Sequence, residues 1–273
     1  MIKITLPNGE KKEYEKGITP LDIAKSLSNS LAKSATCAVV NGEIEDLTKP
    51  LIEDATLAIE SFEEENKETT RVFWHTTAHV MAQAVKRLYP NALLTIGPPI
   101  DKGFYYDIDI TPPITSEQLP AIEKEMQNIV KENLQLKRFS LPRSEAIKLM
   151  EERGEPYKIE LINELPEDEE ISFYEQGEFI DLCIGKHLPN TGLIKAVKLL
   201  NVAGAYWRAD QNNKQLSRLY GISYPKKAML DEYLNRLEEA KKRDHRKLGR
   251  ELDLFDIYEE GPGFPFMLPK GMV

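Results

Sequence analysis

The sequence is poor in cysteine and histidine and has no long apolar run, and each scarcity excludes something. Two Cys in 273 residues, Cys37 and Cys183, cannot build a disulfide framework, so a reducing cytosol is the expected compartment. No stretch approaches the roughly 20 apolar residues that a membrane span needs. The N-terminal Met1-Ile-Lys-Ile-Thr-Leu-Pro alternates like a strand and has no apolar signal core. A soluble cytoplasmic protein with no membrane partner is expected. Basic charge is also short. Lys plus Arg total 36 against 45 for Asp plus Glu, a formal net charge of −9, which argues against a bulk nucleic-acid binder. There are only four His, so where they fall is informative.

Three of them and one Cys form a split quartet: His75 and His79 in one pair, Cys183 and His187 in the other. Each pair has three intervening residues, so on a helix or tight turn both side chains point the same way. Four nitrogen or sulfur side chains converging on one point make either a tetrahedral zinc site or a polar hydrolytic pocket. The residues alone leave both open.

Residues 1–62 read as a small β-rich unit. Ile2, Ile4 and Leu6 alternate, and Pro7-Asn8-Gly9 turns the chain into a second strand through Tyr14. Thr19 caps a helix with Pro20 at its first position. Strands follow at Cys37–Val40 and Ala55–Ile59, with a turn at Asn41-Gly42. This order matches a β-grasp, ubiquitin-like layout. Polar residues Glu63–Glu68 read as a linker. A second unit opens with a helix from about Glu68 to Leu88, its apolar stripe carried by Val72, Phe73, Val80, Met81, Ala84, Val85 and Leu88. A strand from Gly103, helices at Ser116–Glu132 and Glu145–Arg153, and a strand at Tyr157–Leu161 are expected next. Cys183–Gly192 reads as a loop, Val197–Tyr206 as mixed, and Pro225–Leu248 as one long charged helix. The apolar ending from Gly261 suggests a chain cut from a longer protein.

Charge is unevenly spread. From Glu145 to Asp181 there are 13 acidic and 3 basic residues, a net of −10. From Cys183 to Lys227 there are 8 basic residues and one acidic, a net of +7. The basic segment is either a phosphate-facing surface or a solvated face paired with the acidic one.

Five stretches together carry a resemblance: His75-Thr-Thr-Ala-His79, Ile96-Gly-Pro-Pro-Ile-Asp-Lys-Gly-Phe-Tyr-Tyr-Asp107, Cys183-x-x-x-His187, Ala203-Gly-Ala-Tyr-Trp-Arg208 and Arg243-Asp-His-Arg246. The chain resembles the N-terminal half of threonyl-tRNA synthetases over essentially its whole length. The resemblance implies an α+β fold. Its parts would be a TGS β-grasp domain at 1–62, an editing domain at 63–224, a linker helix at 225–249 and the start of a class II catalytic domain at 250–273. That catalytic domain's later motifs are absent, so ligation is not expected of this chain. ATP, Mg and Zn would serve only the missing part, through which the parent would dimerise.

The implied activity is hydrolysis of serine mischarged on threonine tRNA. Threonine and serine differ by one methyl, worth roughly 1–3 kcal/mol of discrimination, so a second, hydrolytic site makes physical sense. By resemblance His75, His79, Lys158, Cys183 and His187 are catalytic, while Tyr106 and Asp181 bind substrate, with no metal and no cofactor for editing. Lys195, Lys198 and Lys214 are the candidate tRNA contacts. Trp207 and Arg208 are expected to support the fold. The family usually shows Cys-Arg-Gly-Pro-His where this chain has Cys183-Ile-Gly-Lys-His187, which replaces a buried ion-pairing Arg and a stiff Pro. The alternatives are a zinc-dependent hydrolase of the alanyl type, or a non-catalytic tRNA-binding module with a degenerate site.

Overall fold

A mixed five-stranded sheet forms from the first sixty residues because short alternating strands bury one face against one amphipathic helix. In the computed structural model, which describes residues 1–243, 245–258, 261 and 263–272 (245–247 by backbone alone), the chain runs β1 (Ile2–Thr5), β2 (Lys11–Tyr14), α1 (Pro20–Leu27), α2 (Asn29–Ser34), β3 (Ala35–Val40), β4 (Glu43–Glu45) and β5 (Ala55–Ser61). The strand order is β2-β1-β5-β3-β4, with β1 and β5 parallel and the other pairs antiparallel. Thr19 caps α1 by accepting from the Asp22 N–H, with Pro20 leading the helix. Ile2, Ile4, Ile23, Leu47 and Leu57 close the core beneath it. This is a ubiquitin-like β-grasp.

The segment after it is packed rather than loose. Phe62 sits edge-on to Phe73, Trp74 and Tyr224. Helix α3 (Lys67–Leu88) then starts on Asn66, whose side chain accepts from the N–H groups of Glu68 and Thr69. α3 is buried on almost every side, not along one stripe. Its threonines manage this by turning their hydroxyls onto backbone carbonyls four residues back, Thr76 to Val72 at 2.9 Å and Thr77 to Phe73 at 3.0 Å.

Two antiparallel sheets flank the helix. β6 (Leu93–Leu94) and β7 (Phe104–Asp109) join, in the order β11-β12-β7-β6, with β11 (Ala196–Tyr206) and β12 (Gln215–Tyr224). Between them in sequence lie α4 (Leu119–Glu132), β8 (Leu136–Leu141), α5 (Arg143–Arg153), α6 (Pro156–Glu164), β9 (Ile171–Gln176) and β10 (Phe179–Leu182), and β10-β9-β8 form the second sheet. The whole is α+β.

Three expectations are corrected. Tyr157–Leu161 is not a strand but the heart of α6, opened by Pro156 at its first turn. Tyr-Lys-Ile-Glu-Leu alternates for too few residues to separate period 2 from period 3.6. The helix puts Lys158 and Ile162 on one inward face, both buried. Val197–Tyr206 is a single long strand, paired with β12 through a register shift between Leu199 and Asn201. The charged helix expected at Pro225–Leu248 is two elements, α7 (Lys227–Lys242) and α8 (His245–Glu251), and Asp244 between them lies outside the described residues, as does that part of the Arg243–Arg246 motif.

The chain divides into two compact units, Met1–Lys227 and Ala228–Val273, so the β-grasp and the two flanking sheets share one unit. In the second, β13 (Phe255–Asp256) pairs with β14 (Phe266–Met267), and Phe264, Met267 and Met272 are exposed. Of the apolar ending, Pro262 and Val273 lie outside the described residues. Among the described residues no helix is long and apolar enough to cross a membrane.

Gly103 launches β7, and its φ of +93° together with the Gly221 carbonyl, 2.2 Å from where a Cβ would sit, leaves no room for a side chain. Gly9 has a φ of +83° but nothing within 4 Å of its Cβ position. Gly103→Ala is therefore expected to cost clearly more in urea unfolding, about 2 kcal/mol or more, than Gly9→Ala at about 1 kcal/mol. Equal losses would show that the close approach of β7 and β12 is not a constraint.

Candidate active site at the floor of the cleft

His75 and His79 stand one turn apart on α3, and the irregular loop after β10 returns Cys183 and His187 to the same point. Cys183 Sγ lies 3.4 Å from His75 Nε2 and 3.2 Å from His187 Nε2. The ring centroids of His187 are 4.4 Å from His75 and 4.3 Å from His79. One ligand-type atom from each of the four side chains can be chosen so that all lie within 4.8 Å of one another. Glycine makes this loop path possible, because a Cβ on Gly185 would sit 2.2 Å from the His75 ring. The Gly185 N–H also donates to Cys183 Sγ at 3.3 Å.

Thr76 sets the tautomer of His187. Its hydroxyl donates to the Val72 carbonyl and accepts the Leu188 N–H at 2.9 Å, so towards His187 Nδ1, 3.2 Å away, it acts as an acceptor. The ring proton is thereby assigned to Nδ1, and the Nε2 lone pair faces Cys183. His79 Nδ1 is buried with no hydrogen-bond partner among the described residues.

Beside the quartet lies an ion pair. Lys158 Nζ on α6 is 2.5 Å from Asp181 Oδ1 on β10, and both side chains are buried. Tyr106 on β7 donates to Asp181 Oδ2 at 2.7 Å and accepts from Lys158 at 3.1 Å. His79 Nε2 is 3.7 Å from the same Asp181 oxygen. All seven expected pocket residues are thus brought together, from α3, β7, α6, β10 and the following loop.

Electrostatics fix the protonation states. Burial, reinforced by the neighbouring His79, lowers His75 from 6.5 to about 3. Burial lowers His79 from 6.5 to about 4, against the pull of Asp181, and holds His187 well below its ordinary value. Burial, with Asp181 nearby, raises the Cys183 thiol to about 12. Burial also opposes the charge on Asp181, but Lys158 and His79 outweigh it and keep its carboxyl below the ordinary value. At neutral pH the floor holds three neutral imidazoles, a thiol and one carboxylate–ammonium pair. Cys183 is no thiolate nucleophile in this state.

The cleft above has a volume of about 770 Å³. Its walls are largely apolar, among them Val72, Ile96, Pro98, Leu161 and Ile184. Arg71 and Lys186 stand at its lining with Glu68 and Glu164. Ile184 is 72% exposed, and Lys186 pairs with Glu45 at 2.6 Å.

The three candidate tRNA lysines lie away from this floor. Lys198 pairs with Glu123 at 2.9 Å and Lys214 with Asp109 at 3.4 Å. Lys195 is exposed, with no ion pair among the described residues. Arg208 pairs with Glu160 and Glu164, and Arg218 grips Asp107, so much of the basic segment is matched internally. Sequence reasoning missed Asp46, Thr76, Tyr174, Gly97 and Gly185 around the site. Only Gly185, inside the Cys183–His187 motif, and Thr76 and Gly97, inside theirs, carried a signal there.

The TGS domain family matches residues 2–60, and the family described as threonyl and alanyl tRNA synthetase second additional domain matches residues 171–220. The pair defines an aminoacyl-tRNA synthetase region. The chain is 60% identical over 270 residues to the threonine–tRNA ligase of Caldanaerobacter subterraneus subsp. tengcongensis, covering 99% of this chain and 42% of that protein. It is 60% identical to that of Acetivibrio thermocellus over its full 273 residues, 43% of the relative, and 58% to that of Clostridium kluyveri. The chain thus spans less than half the length of these relatives. Over its whole length the chain is thus similar to the N-terminal region of threonine–tRNA ligases.

The buried neutral histidines tie stability to pH. As pH falls, the unfolded chain takes up their protons first, near 6.5, while the folded His75 and His79 resist until about 3 and 4. Stability of chelator-treated protein should therefore be full above about 6.5 and decline from there towards about 3. Asp181, depressed in the fold, adds its loss at the acid end. The urea midpoint followed across this window should show the slope, and His79→Gln should flatten it. A midpoint level between about 6.5 and 4 would contradict the neutral assignments.

Proposed function

We propose that the cleft hydrolyses the ester of serine mischarged on threonine tRNA, as the editing centre of a threonine–tRNA ligase. The observation that carries this reading is the composition of the floor, three neutral imidazoles beside a buried Lys158–Asp181 pair under an open apolar cleft. The relatives' name and the matched second additional domain support this reading.

Hydrolysis needs an oriented water, a stabilised oxyanion and a proton for the leaving ribose oxygen. Neutral imidazoles suit the first and last tasks. His79, with Nδ1 free of partners among the described residues and Nε2 turned to Asp181, is placed to take a proton from water and be stabilised as imidazolium. Lys158 supplies positive charge for the developing oxyanion. Asp181, already held by Lys158 and Tyr106, offers a carboxylate for the serine ammonium group. His75 and His187 bracket Cys183, whose thiol donates rather than attacks. The further length that the relatives have is proposed to ligate threonine with ATP and to dimerise.

A second reading is favoured by one observation, the close set of ligand atoms. Tetrahedral zinc bonds of about 2.0–2.3 Å separate ligands by roughly 3.3–3.8 Å, and Cys183 already lies 3.4 and 3.2 Å from two histidines. His75, His79, Cys183 and His187 would hold the ion, with Thr76 orienting His187. Such an ion would polarise the ester carbonyl.

The chain should hydrolyse seryl ester from threonine tRNA and leave threonyl ester largely intact, and His75→Ala should lower turnover by about 10²-fold without changing tRNA affinity. Equal rates on both esters, or none above buffer, would remove the editing reading. Protein purified without added metal should contain far less than one zinc per chain, and chelator should not slow the reaction. Stoichiometric zinc with chelator-sensitive turnover would move the assignment to the metal reading.

The tRNA backbone is proposed to lie along Lys195, Lys198 and Lys214. Neutralising all three should weaken tRNA binding and flatten its salt slope by about one for each phosphate no longer engaged, while turnover at saturating tRNA persists. Since Lys198 and Lys214 already hold acidic partners, Lys195 should account for most of the change. An unaltered slope would leave the segment a solvated, internally paired face.

A further inference from the structure

The junction between the β-grasp sheet and the Cys183–His187 loop involves three consecutive residues of the first sheet's β4 end. Ile44 lines the cleft, Glu45 Oε2 accepts from Lys186 Nζ at 2.6 Å, and Asp46 Oδ1 accepts the His187 backbone N–H at 2.8 Å. Asp46 Oδ2 accepts the Tyr174 hydroxyl, and the Tyr174 ring lies 4.2 Å from the His187 ring. Asp46 is only 4% exposed. The loop it holds has no strand or helix from Cys183 to Asn190, and its outer residue Ile184 is bare.

We propose that Asp46 is a positioning residue of the hydrolytic site, so that the β-grasp unit is a working part of the pocket rather than an appendage beside it. The carboxylate fixes the peptide N–H from which the His187 side chain projects, and His187 in turn stands 3.2 Å from Cys183. A shift at that amide moves the imidazole with it, since only Cα and Cβ stand between the amide nitrogen and the ring. Glu45 clamps the preceding residue from the same strand. Thr76 holds the imidazole from the other side, so Asp46 and Thr76 together fix the backbone and ring of one histidine.

The inference rests on the editing reading, and its test separates the two. In the full chain, Asp46→Ala, Asp46→Asn and Glu45→Gln are compared by steady-state deacylation of serine-charged threonine tRNA, urea unfolding, and amide hydrogen exchange across residues 183–188. Asp46→Ala should lower kcat by about 10- to 100-fold with KM nearly unchanged, the scale expected for a small misplacement of a reacting group. The His187 amide should lose its protection selectively. Asp46→Asn keeps an acceptor oxygen and should recover most of both, and Glu45→Gln should have a smaller effect of the same kind. Unchanged kcat in Asp46→Ala would overturn the proposal. So would equal failure of the Ala and Asn variants with protection lost throughout the β-grasp sheet. Should Asp46→Ala fail to fold, Tyr174→Phe removes one of the two donors holding the carboxylate and should give a partial, selective loss at His187. No such loss would count against the proposal. If the unaltered chain deacylates nothing, the editing reading fails alone. The exchange result then decides, selective loss at His187 supporting Asp46 as the loop's anchor and intact protection overturning it.

Discussion

The site depends on the buried pair between Lys158 and Asp181. Two opposite charges 2.5 Å apart and almost fully covered are costly to desolvate, and removing either partner leaves an uncompensated charge, a loss of roughly 3–5 kcal/mol in comparable cases. The pair joins α6 to β10, and Tyr106 ties both to β7. Three elements from distant parts of the chain are therefore held in register by one carboxylate. The same carboxylate faces His79, so the group that fixes the geometry also sets the field in which the imidazoles titrate.

Much of the fold was legible because its signals are local. The Thr19-Pro20 cap, the strand alternation at Ile2, Ile4 and Leu6, and the long apolar helix each announce themselves within one or two turns of chain. The α6 segment misled because five residues cannot distinguish the two periods, and β11 because its alternation is broken by an irregular register at Leu199. The quartet was legible for a different reason. Rare residue types at matched spacing stand out even without knowing the fold, whereas Asp46 is one of many acids and became meaningful only when folding brought it to His187. Lys158 shows the limit of pattern reasoning. Composition marks it as a surface lysine, and its near-complete burial follows only from the helical turn that pairs it with Ile162.

The loop from Cys183 to His187 is held from outside itself. Lys186 is held by an ion pair to Glu45 that is partly solvent-accessible and therefore screened by salt. Loop order in this chain is thus partly borrowed from a neighbouring sheet.

That borrowing has a kinetic side. The hydrogen bond from the His187 amide to Asp46 spans 141 positions of sequence, and long-range contacts of this kind form late because a large chain loop must close before they contribute. During synthesis the β-grasp unit can settle early, since its residues lie first in the chain and their sheet is complete by Ser61. The pocket cannot, because it waits for the segment beyond β10 to emerge and dock on that sheet. The N-terminal unit therefore serves as a template already in place when the reactive loop arrives.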